Sequence, residues 1–268
     1  MRLEAEDFAV RLLPERGLDV AEAWLDGIQL AWLSGAGFAG SEWGGGLVTT
    51  RGLQNVGAPS EGFPLHGRYH ERRAEVLEQR GGLVRARVED GPFVLEREVR
   101  LGNGSLRIRD MTKNVGDTPE PAPLLYHVNI GGPLWAPGGE VGVAELAETV
   151  PRDEAARAGL ASWSEPPEPD ESPERVFEHR FRPVGGTGSA RVRNAHTGFE
   201  LRLTWGAEAL PRLHQWVDPR PGYYGFALEP ANCSVRGRAA DRAAGTLPLL
   251  EPGATRETWL EVQAERAR

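Results

Sequence analysis

The 268-residue chain is 40% hydrophobic and 26% charged, an ordinary globular composition with enough apolar material for a sizeable core. A formal net charge of −8 and a pI near 5.4 leave no basic excess to displace phosphate counterions, which argues against non-specific nucleic-acid binding, and no nucleic-acid partner is expected. Lys113 is the only lysine and Cys233 the only cysteine, so an intrachain disulfide framework is excluded and a reducing compartment is expected. The opening residues Met1 to Asp7 lack the apolar run of a signal peptide, and no stretch approaches the length of a membrane span. The expectation is therefore a cytoplasmic protein with no membrane partner.

All-β units reach this length as one domain, so a single domain over 1–268 is expected. The first strand-like segment runs from Gly17 to Trp32. Ser34 to Leu65 follows as an irregular stretch in which Gly44-Gly45-Gly46, Gly52, Asn55, Gly57 and Pro59 allow the backbone to pass close to a ligand or simply to connect sheets. Beyond it, Leu83, Arg85 and Arg87 oppose Val84, Ala86 and Val88, the period of a strand. Phe93, Leu95, Arg97, Val99 and Leu101 fall on one side of the next segment, and Gly102-Asn103-Gly104-Ser105 supplies a tight turn, which predicts a β-hairpin over roughly 93–112.

A second irregular excursion spans about 138–173. It carries a short helix predicted at Pro151 to Arg157, with proline in its first turn, and then a Pro- and Glu-rich run to Pro173 that cannot be a central strand. A lid, an oligomer contact and a solvated loop all fit such a segment. Further strands are predicted at Val176 to Phe181, Ala190 to Arg193, Gly198 to Trp205 and Thr255 to Val262. With 34 Gly and 21 Pro between segments that rarely show a 3.6-residue repeat, the class reads as mainly β.

Three ionisable residues stand in strand-like or turn-like settings: His66 before Gly67, His127 in Tyr126-His127-Val128-Asn129, and Glu229 in Phe226-Ala227-Leu228-Glu229-Pro230. Alternation puts His127 and Asn129 on one strand face, and Ala227 and Glu229 on one face of another, where the small alanine leaves room beside the carboxylate and Pro230 ends the ladder. Taken singly, His127 reads more readily as a satisfied structural histidine, Glu229 as a surface charge, and His66 as a weak turn signal. Together a histidine and a carboxylate are the minimum equipment for opening and closing a sugar ring by acid–base catalysis. His70, His179, His196 and His214 lack comparable settings, and no histidine pair has the spacing of a helical zinc motif, so no metal and no cofactor are expected. Trp43 and Trp216 are the tryptophans whose neighbourhoods favour a cleft.

Leu65-His66-Gly67, Tyr126-His127-Val128-Asn129 and Leu228-Glu229-Pro230-Ala231-Asn232, in that order, resemble the aldose 1-epimerase superfamily, the galactose-mutarotase-like proteins. Gly52 to Gly57, the Leu-His-Gly turn and the stretch from Gly225 to Asn232 resemble a divergent branch of it known only as a domain of unknown function. The resemblance implies a β-supersandwich of large antiparallel sheets with a few short helices and a small-molecule sugar in a cleft. It also implies Glu229 as general base, His127 as general acid and His66 as a sugar contact. Asn129, Trp216 and Asn232 are the further substrate-binding candidates, and the contacting arginine is left between Arg51 and Arg68. A non-catalytic sugar-binding protein and a different sugar epimerase or lyase on the same scaffold stay open, as does a homodimer.

Overall fold

Strands whose side chains alternate between core and surface account for most of the chain, and they assemble into two large antiparallel sheets. The computed structural model describes residues 1–38 and 44–267. Among the described residues, the larger sheet has ten strands. Its order is Arg2–Ala5, Phe8–Leu13, Asp19–Leu25, Val48–Gly52, Leu124–Asn129, Gly225–Ala231, Arg212–Asp218, Arg175–Phe181 and Leu146–Pro151, with Ile28–Gln29 pairing beside Asp19–Leu25. The second sheet has eight, in the order Gly139–Val143, Thr187–Asn194, Phe199–Gly206, Thr255–Arg266, Ser105–Asn114, Phe93–Gly102, Leu83–Asp90 and Glu75–Arg80. One continuous cluster of buried apolar side chains, from Leu3 to Ala264, draws on both sheets.

The hairpin of Phe93–Gly102 and Ser105–Asn114 forms as expected, because Gly104 takes a φ of 62° that a side chain would disfavour. Other segments differ from the sequence reading. Val48–Gly52, within the stretch read as irregular, is a fully buried central strand. The 138–173 excursion contains two strands, Gly139–Val143 in the eight-stranded sheet and Leu146–Pro151 in the ten-stranded one, so it crosses from one sheet to the other. Pro151 closes a strand instead of opening a helix. The helix is Glu154–Ala158, and Asp153 caps it by accepting from the Ala156 N–H at 3.0 Å.

Pro230 does not end its strand. Gly225–Ala231 runs through it, paired to Arg212–Asp218 along its whole length. On the other side, Leu125 pairs with Ala231 and Val128 with Leu228, and the ladder is open around Pro230, which has no N–H to give. A proline is thus accommodated inside the sheet, next to Glu229.

Candidate acid–base site on the outer face of the larger sheet

The register of Leu124–Asn129 against Gly225–Ala231 sets His127 across from Glu229, where directly opposed side chains start about 4.5–5.5 Å apart. His127 Nε2 and Glu229 Oε1 are 2.9 Å apart, with the side chains only 5% and 3% exposed. Tyr126, one residue earlier, turns the other way and bonds Asp110 in the second sheet. His127 therefore faces away from the inter-sheet core, onto the wall of a cavity of about 750 Å³ that Arg51, His66, Trp216, Tyr223 and Glu229 share.

Burial alone would raise the Glu229 carboxyl, yet the charge and hydrogen bond of His127, helped by His214, hold it below the usual glutamate range. A carboxylate is therefore the resting form at neutral pH. Arg51 lies on the cavity wall with burial bringing its guanidinium down to about 10, opposed by the charge of Asp19. It still carries its positive charge near neutrality.

His66 occupies a left-handed position, φ 60°, directly before Gly67 at 69°. Two reciprocal bonds pin it there: its N–H donates to Gly57 O at 3.0 Å, and the Gly57 N–H donates to His66 Nδ1 at 3.2 Å. Burial first, then the charges of Arg51 and His127, bring the imidazole down to about 3, so it is neutral at any ordinary pH. With Nδ1 accepting, the single ring proton sits on Nε2, and His66 is a fixed hydrogen-bond donor.

Trp216 stands edge-on to His127 with ring centroids 5.6 Å apart, and its Nε1 donates to Glu174 Oε2 at 2.8 Å. The room beside Glu229 that Ala227 was expected to leave is taken by this indole, which packs on Ala227 and Trp32. Gly225 extends the same accommodation, since a Cβ there would run into the Trp216 ring.

Other candidates lie elsewhere. Asn129 is fully buried and donates to Gly46 O at 2.6 Å and His127 O at 3.1 Å, tying the end of the glycine-rich stretch to the strand. Alternation identified its face but not its depth. Asn232 accepts from the Leu124 N–H at 2.7 Å and donates to Ala122 O at 3.1 Å, continuing the ladder past Ala231, and it borders a different cavity. Arg68 is exposed, its nearest carboxylate being Glu71 at 4.0 Å, and Arg51 is the one of the two arginines on the cavity wall. Trp43 lies outside the described residues.

Sequence reasoning missed several groups. His214 stands directly across from Glu229 and contributes to its depressed titration. Its Nε2–H donates to Cys233 O at 3.0 Å, which gives the ring a defined tautomer. Alternation through His214, Trp216 and Asp218 carried that signal. Arg152 and Glu174, bonded at 3.0 Å, and Arg220, clamped on Asp218, form the far side of the cavity. Arg152 and Glu174 meet because the Leu146–Pro151 and Arg175–Phe181 strands pair, so the 138–173 excursion supplies Arg152 and Asp153 to the cavity wall. Among the described residues no group of three or more His, Cys, Asp or Glu side chains is arranged to hold a metal ion, and no helix is long and apolar enough to cross a membrane.

Two large antiparallel sheets with the site on the outer face of the larger one define a galactose-mutarotase-like β-sandwich. The chain belongs to the family described as "Domain of unknown function (DUF4432)", whose model matches residues 1–264. Comparison with the curated proteins gives no match. Among solved structures, a candidate aldose 1-epimerase from Klebsiella pneumoniae superposes with a TM-score of 0.83 at 20% identity, over 96% of this chain and 76% of that one. A Synechocystis protein matches with a TM-score of 0.75 at 18% identity, over 100% and 96%. A galactose mutarotase related enzyme from Lactobacillus acidophilus matches at 0.73 and 11%, over 99% and 97%. At these identities the likeness is one of fold.

Proposed function

We propose that this protein interconverts the anomers of an aldose by acid–base opening and closure of the sugar ring. The observation that carries the reading is the 2.9 Å contact between His127 Nε2 and Glu229 Oε1 on the wall of a cavity. The two oxygens that exchange protons in this reaction, the anomeric hydroxyl and the ring oxygen, are bonded to the same carbon. Their acid and base must therefore stand side by side, and directly opposed residues of an antiparallel pair do so.

Glu229, ionised, takes the proton of the anomeric hydroxyl while His127 protonates the ring oxygen. The bond between the anomeric carbon and the ring oxygen breaks, its electron pair staying on the oxygen, and leaves an aldehyde and an open-chain hydroxyl. Rotation about the adjacent carbon–carbon bond presents the other carbonyl face. Closure then runs the proton transfers backward, with His127 as base and Glu229 as acid. His66, neutral with its proton on Nε2, donates to a sugar hydroxyl, and Trp216 offers an apolar edge to the ring.

Acid–base assistance of roughly 10²–10⁴-fold is sufficient for a reaction that proceeds slowly unaided in water. Anomer exchange measured by saturation-transfer NMR across a panel of free and modified aldoses tests the proposal. Glu229→Gln should abolish the acceleration while the fold persists. Equal exchange in parent and variant on a sugar that the parent accelerates would remove Glu229 from the reaction, and conversion at any carbon other than the anomeric one would redirect the reading to a different epimerase or a lyase.

A further inference from the structure

The adjacent strands Val48–Gly52 and Leu124–Asn129 present Arg51, Thr49 and His127 on the cavity side, and between them Thr50 and Tyr126, direct cross-strand partners, on the opposite side. Both of these inward residues are fully buried. They end on one ion pair contributed by the other sheet. Arg97 donates through Nε to Asp110 Oδ1 at 2.8 Å and through Nη2 to Asp110 Oδ2 at 2.6 Å. The same Nη2 donates to Thr50 Oγ1 at 2.8 Å, and Asp110 Oδ2 accepts the Tyr126 hydroxyl at 2.6 Å. Thr258 lies 2.7 Å from that hydroxyl, and Asp19 Oδ1 accepts the Thr50 N–H at 2.9 Å.

We propose that the buried Arg97–Asp110 pair positions the acid–base site: by gripping Thr50 and Tyr126 from behind, it sets the depth of the two strands that carry Arg51 and His127, and with it the contact between His127 and Glu229. The inference rests on reading His127 and Glu229 as the reacting pair. Arg97, Asp110 and Tyr126 are positioning residues, since none lines the cavity.

Two physical arguments support the assignment. Burying an ion pair gains little stability over apolar side chains of similar volume, because desolvation offsets the attraction. The pair's hydrogen bonds to side chains of the larger sheet go to Thr50 and Tyr126, immediate chain neighbours of Thr49, Arg51 and His127. In addition, a displacement of about 1 Å at a reacting group costs roughly 10²-fold in rate. A strand held at its inward residue cannot move its outward neighbour independently.

The test separates positioning from stability. In the double variant R97M/D110L the fold should be retained with a lowered melting temperature, because the buried Asp19, which Arg97 also faces at 3.7 Å, loses that counter-charge. The Glu229 carboxyl, followed by carbon NMR as pH is varied, should titrate closer to the ordinary glutamate range, and kcat for anomer exchange should fall roughly tenfold or more with KM nearly unchanged. Should that variant fail to fold, Tyr126→Phe, which keeps the ion pair and cuts one link, should move the same quantities in the same directions by less. An unchanged Glu229 titration in folded variants overturns the proposal. The carboxyl readout needs no sugar, so a parent protein that accelerates no anomer exchange counts against the proposed function and leaves this test standing.

Discussion

In the eight-stranded sheet, Leu83–Asp90 and Ser105–Asn114 bury one face and turn the other to water, where Arg109 pairs with Glu257 at 2.6 Å and Arg193 with Glu140 at 2.6 Å across neighbouring strands. In the ten-stranded sheet, Val48–Gly52, Leu124–Asn129 and Gly225–Ala231 are buried along their whole length on both faces. Their outer face is covered by connecting segments around a cavity. Polar groups on a wet face cost nothing, whereas on a covered face each needs a partner. Ionisable residues there are consequently held in fixed geometry, with Glu229 and Arg51 shifted in titration, which is what acid–base chemistry requires.

The sharpest way to break this contrast is to remove an ionisable side chain from each sheet. His127→Asn, on the covered face, should lower anomer exchange by about 10²-fold or more with the fold retained, as measured by NMR exchange and circular dichroism. An exchange rate within a few-fold of the parent would return His127 to a structural role.

Acid stability should also follow the larger sheet. His179, 1% exposed between Thr149 and Gln215, is brought down to about 4 by burial, and His66 to about 3. Both are neutral in the folded protein and take up a proton on unfolding below about pH 6.5. Stability should therefore decline as pH falls from about 6.5 toward 4, His179 alone accounting for about 3 kcal/mol. Asp19, raised to about 6 by burial, works the other way, its contribution being lost as pH rises through that value. Thermal melts of the parent and of His179→Gln should diverge from pH 7 to pH 4, the variant losing less; parallel curves would refute the assignment.

Smaller effects separate close packing from surface pairing. Gly225→Val, forced against the Trp216 ring, should cost about 1–3 kcal/mol by overpacking and disturb the cavity, read as a lower denaturation midpoint with weakened exchange. Glu257→Gln, breaking an exposed pair on the other sheet, should change stability by about 0–1 kcal/mol and leave exchange untouched. If the surface substitution proved the more damaging, the division of labour between the sheets would be wrong.

The same contrast governs what was legible in the chain. Residues 83–88, 93–112, 190–193, 198–205 and 255–262 announce themselves as strands in the sheet with one wet face, where alternation survives, and in the larger sheet the strands Asp19–Leu25 and Arg175–Phe181, away from its covered centre, are legible as well. Val-Thr-Thr-Arg-Gly at 48–52 hides in a glycine-rich stretch because both of its faces are covered. Pro230 reads as a strand terminator, since nothing local says that the missing N–H falls where one ladder can open.

Alone, the sequence determined the mainly β class, the hairpin at 93–112 and, through its three motifs, the membership that the family match bears out. It also named His66, His127, Glu229, Trp216 and Arg51, all of which reach one cavity. Only the tertiary structure put Arg51 and not Arg68 on the cavity wall, took Asn129 and Asn232 out of the cavity, set His214 beside Glu229, and brought Arg152 in from the excursion with Glu174 just beyond it. Alternation along a strand reports which face a side chain takes. Depth, the neighbour across the ladder and the segment that covers the face are set by pairings between residues far apart in the chain, such as His127 with Glu229, and no local pattern carries them.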